Sequence, residues 1–234
     1  MKIRKIVKKF FAEALLHYRH ARFSQRKEKL PNDMTGLNLC DVFYINLTHR
    51  TDRRLEIEKE FQRIGLNNYT RFEACQDDNG SLGCSRSHRA LLGHYSPIET
   101  RMLMICEDDC QFIVDRAYID GLVNEFYVDA NLDVLCLAFN KRNGIKISDK
   151  FYFTSDTQTT ACYILKSHMI PEMINTANES IFRFENRQMN KQAAIDVVWK
   201  ELQKKFVFIV PLKRAVKQSA SYSDIERTHT NYGV

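Results

Sequence analysis

Apolar residues at Ile3, Ile6, Val7, Phe10, Phe11, Ala14, Leu15 and Tyr18 recur at helical spacing, so the pattern predicts one amphipathic helix near the N-terminus. A polar stretch with Pro31, Asn32 and Gly36, residues 24–38, reads as a linker. From there strand-like and helix-like patterns alternate. Asp41–Leu47 is a β-rich apolar run. Arg50–Ile64 has helical periodicity through Leu55, Ile57, Phe61 and Ile64, with Gly65 as its stop. Tyr69–Cys75 reads as a strand, Asp77–Leu82 as a polar turn, and Gly83–Tyr95 as a helix ended before Pro97. Arg101–Cys106 is a short apolar strand, Asp115–Tyr127 a helix and Asp133–Phe139 another strand. In the second half, Phe151–Phe153, Thr160–Leu165 and Phe206–Val210 read as strands. Ser167–Ala177 reads as a helix capped by Ser167, and Gln192–Leu202 as a helix carrying Asp196. Alternation of this kind predicts an α/β domain with a mostly parallel central sheet, whose ligands bind at the C-terminal ends of the strands. The predicted organisation is a basic N-terminal helix and linker over residues 1–38 and one domain over 39–234.

Composition narrows the class. With 234 residues, 44% hydrophobic and 27% charged, the chain is expected to fold as a soluble globular protein. No apolar run approaches the roughly 20 residues that cross a bilayer, and Lys8 and Lys9 interrupt any signal-peptide core. The net charge is +6, but residues 1–30 hold ten Lys/Arg against two Glu, a surplus of eight, so the other 204 residues carry a net −2. A body without its own basic excess argues against nucleic acid as a partner. The N-terminal helix has two open readings: peripheral association with an anionic membrane through residues 1–23, or packing on the protein itself or a second copy. The seven cysteines lack a CxxC pair, and most lie in apolar runs. They read as free buried thiols in a reducing compartment, which points to the cytoplasm.

Three segments carry candidate chemistry. Glu107-Asp108-Asp109 follow a run apolar at every position, a strand buried on both faces. Three adjacent carboxylates repel one another, and a cation or full solvation relieves them. A solvated turn would show the same triplet. Gly83-Cys84-Ser85-Arg86-Ser87-His88 reads as a helix start whose free N–H groups and hydroxyls suit a diphosphate, or as an ordinary capped helix with a buried His88. Arg50, Arg53 and Arg54 follow the first strand, where guanidinium forks suit phosphate, or serve as a solvated helix start.

In order, "VFYINLTHRTDRR" at 42–54, "RFEA" at 71–74, "GSLGCSRSHRALL" at 80–92, "MLMICEDD" at 102–109, "TTACYILKSH" at 159–168, "AIDVVW" at 194–199 and "PLKRAVKQSASYSDI" at 211–225 resemble glycosyltransferase family 25, which includes lipooligosaccharide and collagen-type galactosyltransferases. The likeness spans about 42 to 225. It implies a GT-A-like, Rossmann-type nucleotide-sugar-binding fold and an enzyme, a hexosyltransferase. A hexose, galactose favoured and glucose next, would pass with inversion from a UDP-sugar to a glycan or lipid-linked glycan acceptor. In that reading Glu107 and Asp109 hold Mn2+ or Mg2+ against the donor diphosphate, with His229 as a further ligand. Asn46, Arg50, Arg53, Arg54, Ser87, His88, Glu107, Asp108 and Gln218 bind the donor, Ser223 touches donor or acceptor, and Asp196, a lone acid in an apolar helix, is the catalytic base. Cys110 directly after the triplet and the compact loop at 76–80 depart from the family pattern and bear on the acceptor. The rival reading is a catalytically inactive nucleotide-sugar-binding protein of the same fold. A nucleotidyltransferase or phosphohydrolase would call for a Gly-rich signature loop or a second carboxylate-histidine cluster.

Overall fold

The structure, a computed structural model, describes residues 28–98, 101–141, 143–186, 192–219, 221–223 and 228–230. The predicted N-terminal helix lies outside them. The first four strands are β1 (Cys40–Asn46), β2 (Thr70–Glu73), β3 (Met102–Glu107) and β4 (Cys110–Phe112). They are followed by β5 (Val134–Cys136), β6 (Asn140–Lys141), β7 (Ile145–Lys146), β8 (Phe151–Thr154), β9 (Thr157–Gln158) and β10 (Cys162–Leu165). The last are β11 (Phe208–Pro211), β12 (Val216–Gln218), β13 (Ser221–Ser223) and β14 (Thr228–Thr230). Eight of them form one sheet in the order β2-β1-β3-β10-β5-β11-β8-β7. Its pairings leave β10 and β8 reversed and the other six strands pointing one way. The expected α/β class and mostly parallel sheet are therefore present.

The pleat divides the core in two. Along β3, Met102, Met104 and Cys106 face one apolar cluster, while Leu103 and Ile105 face the other. On the first side lie α1 (Thr51–Arg63), through Ile57 and Phe61, and α3 (Arg116–Val128), through Ile119, Leu122 and Phe126. On the second lie α2 (Gly80–His94), through Leu91 and Leu92, and α4 (Ile170–Glu185), through Met173. Trp199 joins them from the 3-10 turn Trp199–Lys204 that continues the short α5 (Ile195–Val198). With both faces covered, β3 is apolar from Met102 to Cys106, as its sequence predicts.

Several boundaries differ from the expected ones, each for a local reason. The helix predicted over Gly83–Tyr95, with a turn at Asp77–Leu82, begins at Gly80, because the Asn79 side chain accepts the N–H groups of Ser81 and Leu82. Ser167 is not an N-cap. It opens a 3-10 turn, Ser167–Met169, and gives its hydroxyl to the Arg101 carbonyl, so α4 starts at Ile170 with Pro171 in its first turn. The predicted helix Gln192–Leu202 shrinks to α5 and its 3-10 extension. Leu55, expected on the apolar face of α1, is 68% exposed. The end of the predicted linker is already in the core. Leu37 is 1% exposed within the 3-10 turn Gly36–Leu39, and Asp120 and Asn124 of α3 accept the N–H groups of Leu37 and Gly36. All seven cysteines are free, five of them buried. Among the described residues no helix is long and apolar enough to cross a membrane.

Candidate active site

The parallel register sets Ile45 of β1 against Glu107 of β3, so Asn46 and the acidic triplet meet at the C-terminal edge of the sheet. Asn46 is 1% exposed. Its side-chain amide donates to the Arg50 carbonyl at 3.0 Å and to Asp108 Oδ2 at 2.8 Å, while its Oδ1 accepts from Arg71 at 3.0 Å. Arg53, one turn into α1, donates to Asp108 Oδ1 at 3.0 Å and lies 3.9 Å from Asp109 Oδ2. A buried carboxylate needs such partners, and each charged hydrogen bond contributes roughly 1.5–3 kcal/mol. Burial still pushes the Asp108 carboxyl up, against the pull of Arg53.

Glu107 turns away from its neighbours. Its Oε1 accepts from the Thr160 hydroxyl at 2.7 Å and lies 3.4 Å from His88 Nε2 and 4.0 Å from Cys84 Sγ. Burial acts to raise this carboxyl, but the hydrogen bonds from His88 and Thr160 hold it below its ordinary value. His88 is fully buried, with Nδ1 2.9 Å from Tyr163 Oη.

Asp109 sits in the turn between β3 and β4, where the chain leaves the main sheet. The pairing of β4 with β12 sets Gln218 opposite Cys110, and Gln218 Nε2 donates to Asp109 Oδ2 at 3.2 Å. Oδ1 is buried and accepts no hydrogen bond. Burial, followed by the Glu107 charge, pushes the Asp109 carboxyl up to about 7. Gln218 also accepts the Thr159 hydroxyl at 3.3 Å, and the Thr159 N–H donates to Asp196 Oδ2 at 3.2 Å. One chain of contacts therefore runs Asp196–Thr159–Gln218–Asp109. Thr159 has φ +80°, a conformation a β-branched residue resists, and its position between two acids is where such strain is found. Burial raises the Asp196 carboxyl, and the Glu107 charge adds to it.

Of the residues singled out in the sequence, Asn46, Arg53, His88, Glu107, Asp108, Asp109, Asp196 and Gln218 come together. Arg54 does not. It is half exposed on α1 and paired with Glu58. The Arg50 guanidinium holds Asp52 at 3.0 and 2.8 Å. Ser87 is buried, giving its hydroxyl to the Gly83 carbonyl and accepting the Cys75 N–H, so it ties α2 to the end of β2. Gly83 does not open an anion site. It lies inside α2, its N–H bonded to the Asn79 carbonyl at 2.9 Å, and a Cβ there would stand 2.8 Å from the Cys75 carbonyl. The backbone of His229 pairs with Tyr222, and the side chains of both His229 and Ser223 lie outside the described ones. Thr159, Thr160, Arg71 and Tyr163 fall within the motifs at 71–74 and 159–168 without standing out as single residues, and Cys84 reads in the sequence only as a buried thiol within the segment at 83–88.

The arrangement offers carboxylate oxygens that could hold a cation and a carboxylate that could accept a proton. Its three adjacent acids carry more negative charge than Arg53 offsets, and an orphaned buried oxygen calls for a positive partner. Asp109 supplies the hard oxygen donor that Mg2+ and Mn2+ prefer.

No family model matches the sequence, and no curated protein does. Among solved structures, a nucleoside-diphosphate-sugar pyrophosphorylase from Vibrio cholerae RC9 is 10% identical, with 72% of this chain and 70% of that one covered at a TM-score of 0.38. A glycosyltransferase involved in the glycosylation of the major capsid of PBCV-1 is also 10% identical, with 75% of this chain and 96% of that one covered at a TM-score of 0.34. At these TM-scores the likeness bears on neither family nor activity, and the α/β class rests on the sheet itself.

Proposed function

We propose that this chain is a metal-dependent hexosyltransferase of the family 25 type. It would move a hexose, galactose favoured, from a UDP-sugar to a glycan or lipid-linked glycan acceptor, with inversion. The observation that carries the reading is the buried, unpartnered Oδ1 of Asp109 at the end of β3, linked through Gln218 and Thr159 to Asp196. Asp109 would hold Mn2+ or Mg2+, which when bound offsets charge on the departing diphosphate. Arg53 and Asn46 fix Asp108 beside it. Asp196 takes the acceptor hydroxyl proton as the acceptor oxygen bonds to the anomeric carbon and the bond from that carbon to the diphosphate breaks. A carboxyl raised by burial is a stronger base than a solvated one, which suits this role.

The test is a screen of UDP-sugars that reads nucleotide release with and without Mn2+. Release by the wild-type protein should need the cation. Asp109→Ala should abolish the cation response. Asp196→Asn should bind donor normally and turn over at least about a hundredfold more slowly, the scale of a lost general base. Donor binding without release would favour the inactive binding protein instead. Undiminished turnover in Asp196→Asn would remove Asp196 from the mechanism.

A further inference from the structure

A second group of metal-ligating atoms lies next to the triplet and belongs to a different class of ion. Cys84 and His88 are four residues apart on α2, so their side chains leave the same face of the helix, toward the end of β3. Cys84 Sγ, one ring nitrogen of His88 and one carboxylate oxygen of Glu107 all lie within 4.8 Å of one another. The separations of 3.4 Å for His88–Glu107 and 4.0 Å for Cys84–Glu107 stand at the outer limit of hydrogen bonding. They are close to the edges of a tetrahedron around one ion. Bond lengths of 2.0–2.3 Å give edges of roughly 3.4 Å between nitrogen and oxygen and roughly 3.6 Å between sulfur and oxygen.

The surroundings are those of a built site. The other ring nitrogen of His88 is held by Tyr163 Oη at 2.9 Å, and the two rings stack with centroids 5.7 Å apart. A histidine ligand fixed through its second nitrogen keeps the tautomer and ring angle that a metal needs. The Thr160 hydroxyl donates to Glu107 at 2.7 Å and orients that carboxylate. The Glu107 side chain is 21% exposed, which gives an ion a way in.

We infer that Cys84, His88 and Glu107 form a three-ligand site for a borderline-soft divalent cation, Zn2+ above all, distinct from the hard-cation position at Asp109. Sulfur and imidazole donors select Zn2+ over Mg2+, and three protein ligands leave a fourth position open to water or a substrate oxygen. Binding releases the thiol proton to solvent. The inference goes beyond the transferase reading and does not rest on it.

The experiment uses the full chain, stripped with a chelator, kept reduced and titrated with Co2+ as a spectroscopic stand-in for Zn2+. One Co2+ per chain should bind with the visible bands of a four-coordinate ion and a thiolate-to-cobalt charge-transfer band. Zn2+ should displace it and Mg2+ should not. Cys84→Ser should lose the charge-transfer band. Cys110→Ser should keep it, although it removes a thiol from the neighbouring buried trio Cys106, Cys110 and Cys162. Asp109→Ala should also keep the band, which separates this site from the hard-cation position. Tyr163→Phe should keep the band but weaken Co2+ binding about tenfold to a hundredfold. Absence of the charge-transfer band in the wild-type protein overturns the inference without recourse to any variant. So does a band that survives in Cys84→Ser, or one lost in a folded Cys110→Ser. The readout is independent of turnover, so an inactive protein with this spectrum would defeat the transferase reading and leave the site standing.

Discussion

Asp109 is set against the stability of its own domain. Its carboxyl titrates at about 7 in the folded protein, against an ordinary value of 3.8. The folded state therefore binds this proton more tightly than the unfolded chain does. On this group's account the cation-free protein is most stable below pH about 4, and it loses that contribution as pH rises through about 7. Asp109→Asn is expected to melt higher than the wild-type protein at pH 8 in chelator and nearly level with it at pH 4. The gain should be roughly 2–4 °C for each kcal/mol recovered. A wild-type curve that is flat from pH 4 to 8 would contradict it. The same substitution should abolish any cation response, the usual opposition between function and stability. At this scale the sequence was partly legible. The acids, Asn46, Arg53 and Gln218 could be named because their charge or place in the motif order singled them out. Thr159 acts through a backbone N–H and a positive φ, neither of which side-chain patterning encodes. Ser87 and Arg54 looked like ligands because a buried hydroxyl and a solvated guanidinium read the same in one dimension.

Elements were legible where periodicity was strong and poorly so where a cap decided the end. The apolar run Arg101–Cys106 and the periodicity over Arg50–Ile64 predicted β3 and α1 to within one residue at each end. The start of α2 turned on one Asn79 amide, which hydrophobic pattern cannot weigh against Gly83. The pair β4–β12 was invisible, because each member is three residues long and its partner is about a hundred residues away. The turn Gly36–Leu39 looked like linker because it is short and its anchors are on α3. Gly36 has φ +59°, and a Cβ there would stand 2.0 Å from Asp120 Oδ1. Gly36→Ala therefore combines a disfavoured backbone with loss of the Asp120 hydrogen bond to Leu37. It is expected to cost about 1–3 kcal/mol, read as a lower denaturation midpoint at unchanged slope. A midpoint equal to that of the wild-type protein would mean that the turn does not anchor the chain to α3.

Taken whole, the molecule separates its charges. Residues 1–27 hold nine Lys/Arg against one Glu, and the rest of the chain nets −2. If those basic residues serve a membrane surface, removing residues 1–27 should leave turnover on soluble donor unchanged and abolish salt-sensitive binding to vesicles containing anionic lipid. If instead they pack on the body, the same truncation should lower thermal stability and leave vesicle binding at its original level. Co-sedimentation and a melting curve on the two chains distinguish these outcomes. The β4–β12 pairing also bears on how the protein is made. Gln218 reaches Asp109 across 109 positions of sequence, so this contact closes a long loop. During synthesis the sheet strands β1, β2 and β3 emerge well before β12 does. The triplet would spend that interval hydrated, its charge screened by water. The enclosure that raises Asp109 would then be among the last steps of maturation, and a ribosome-bound chain ending before Val216 would have much of its sheet and no finished site.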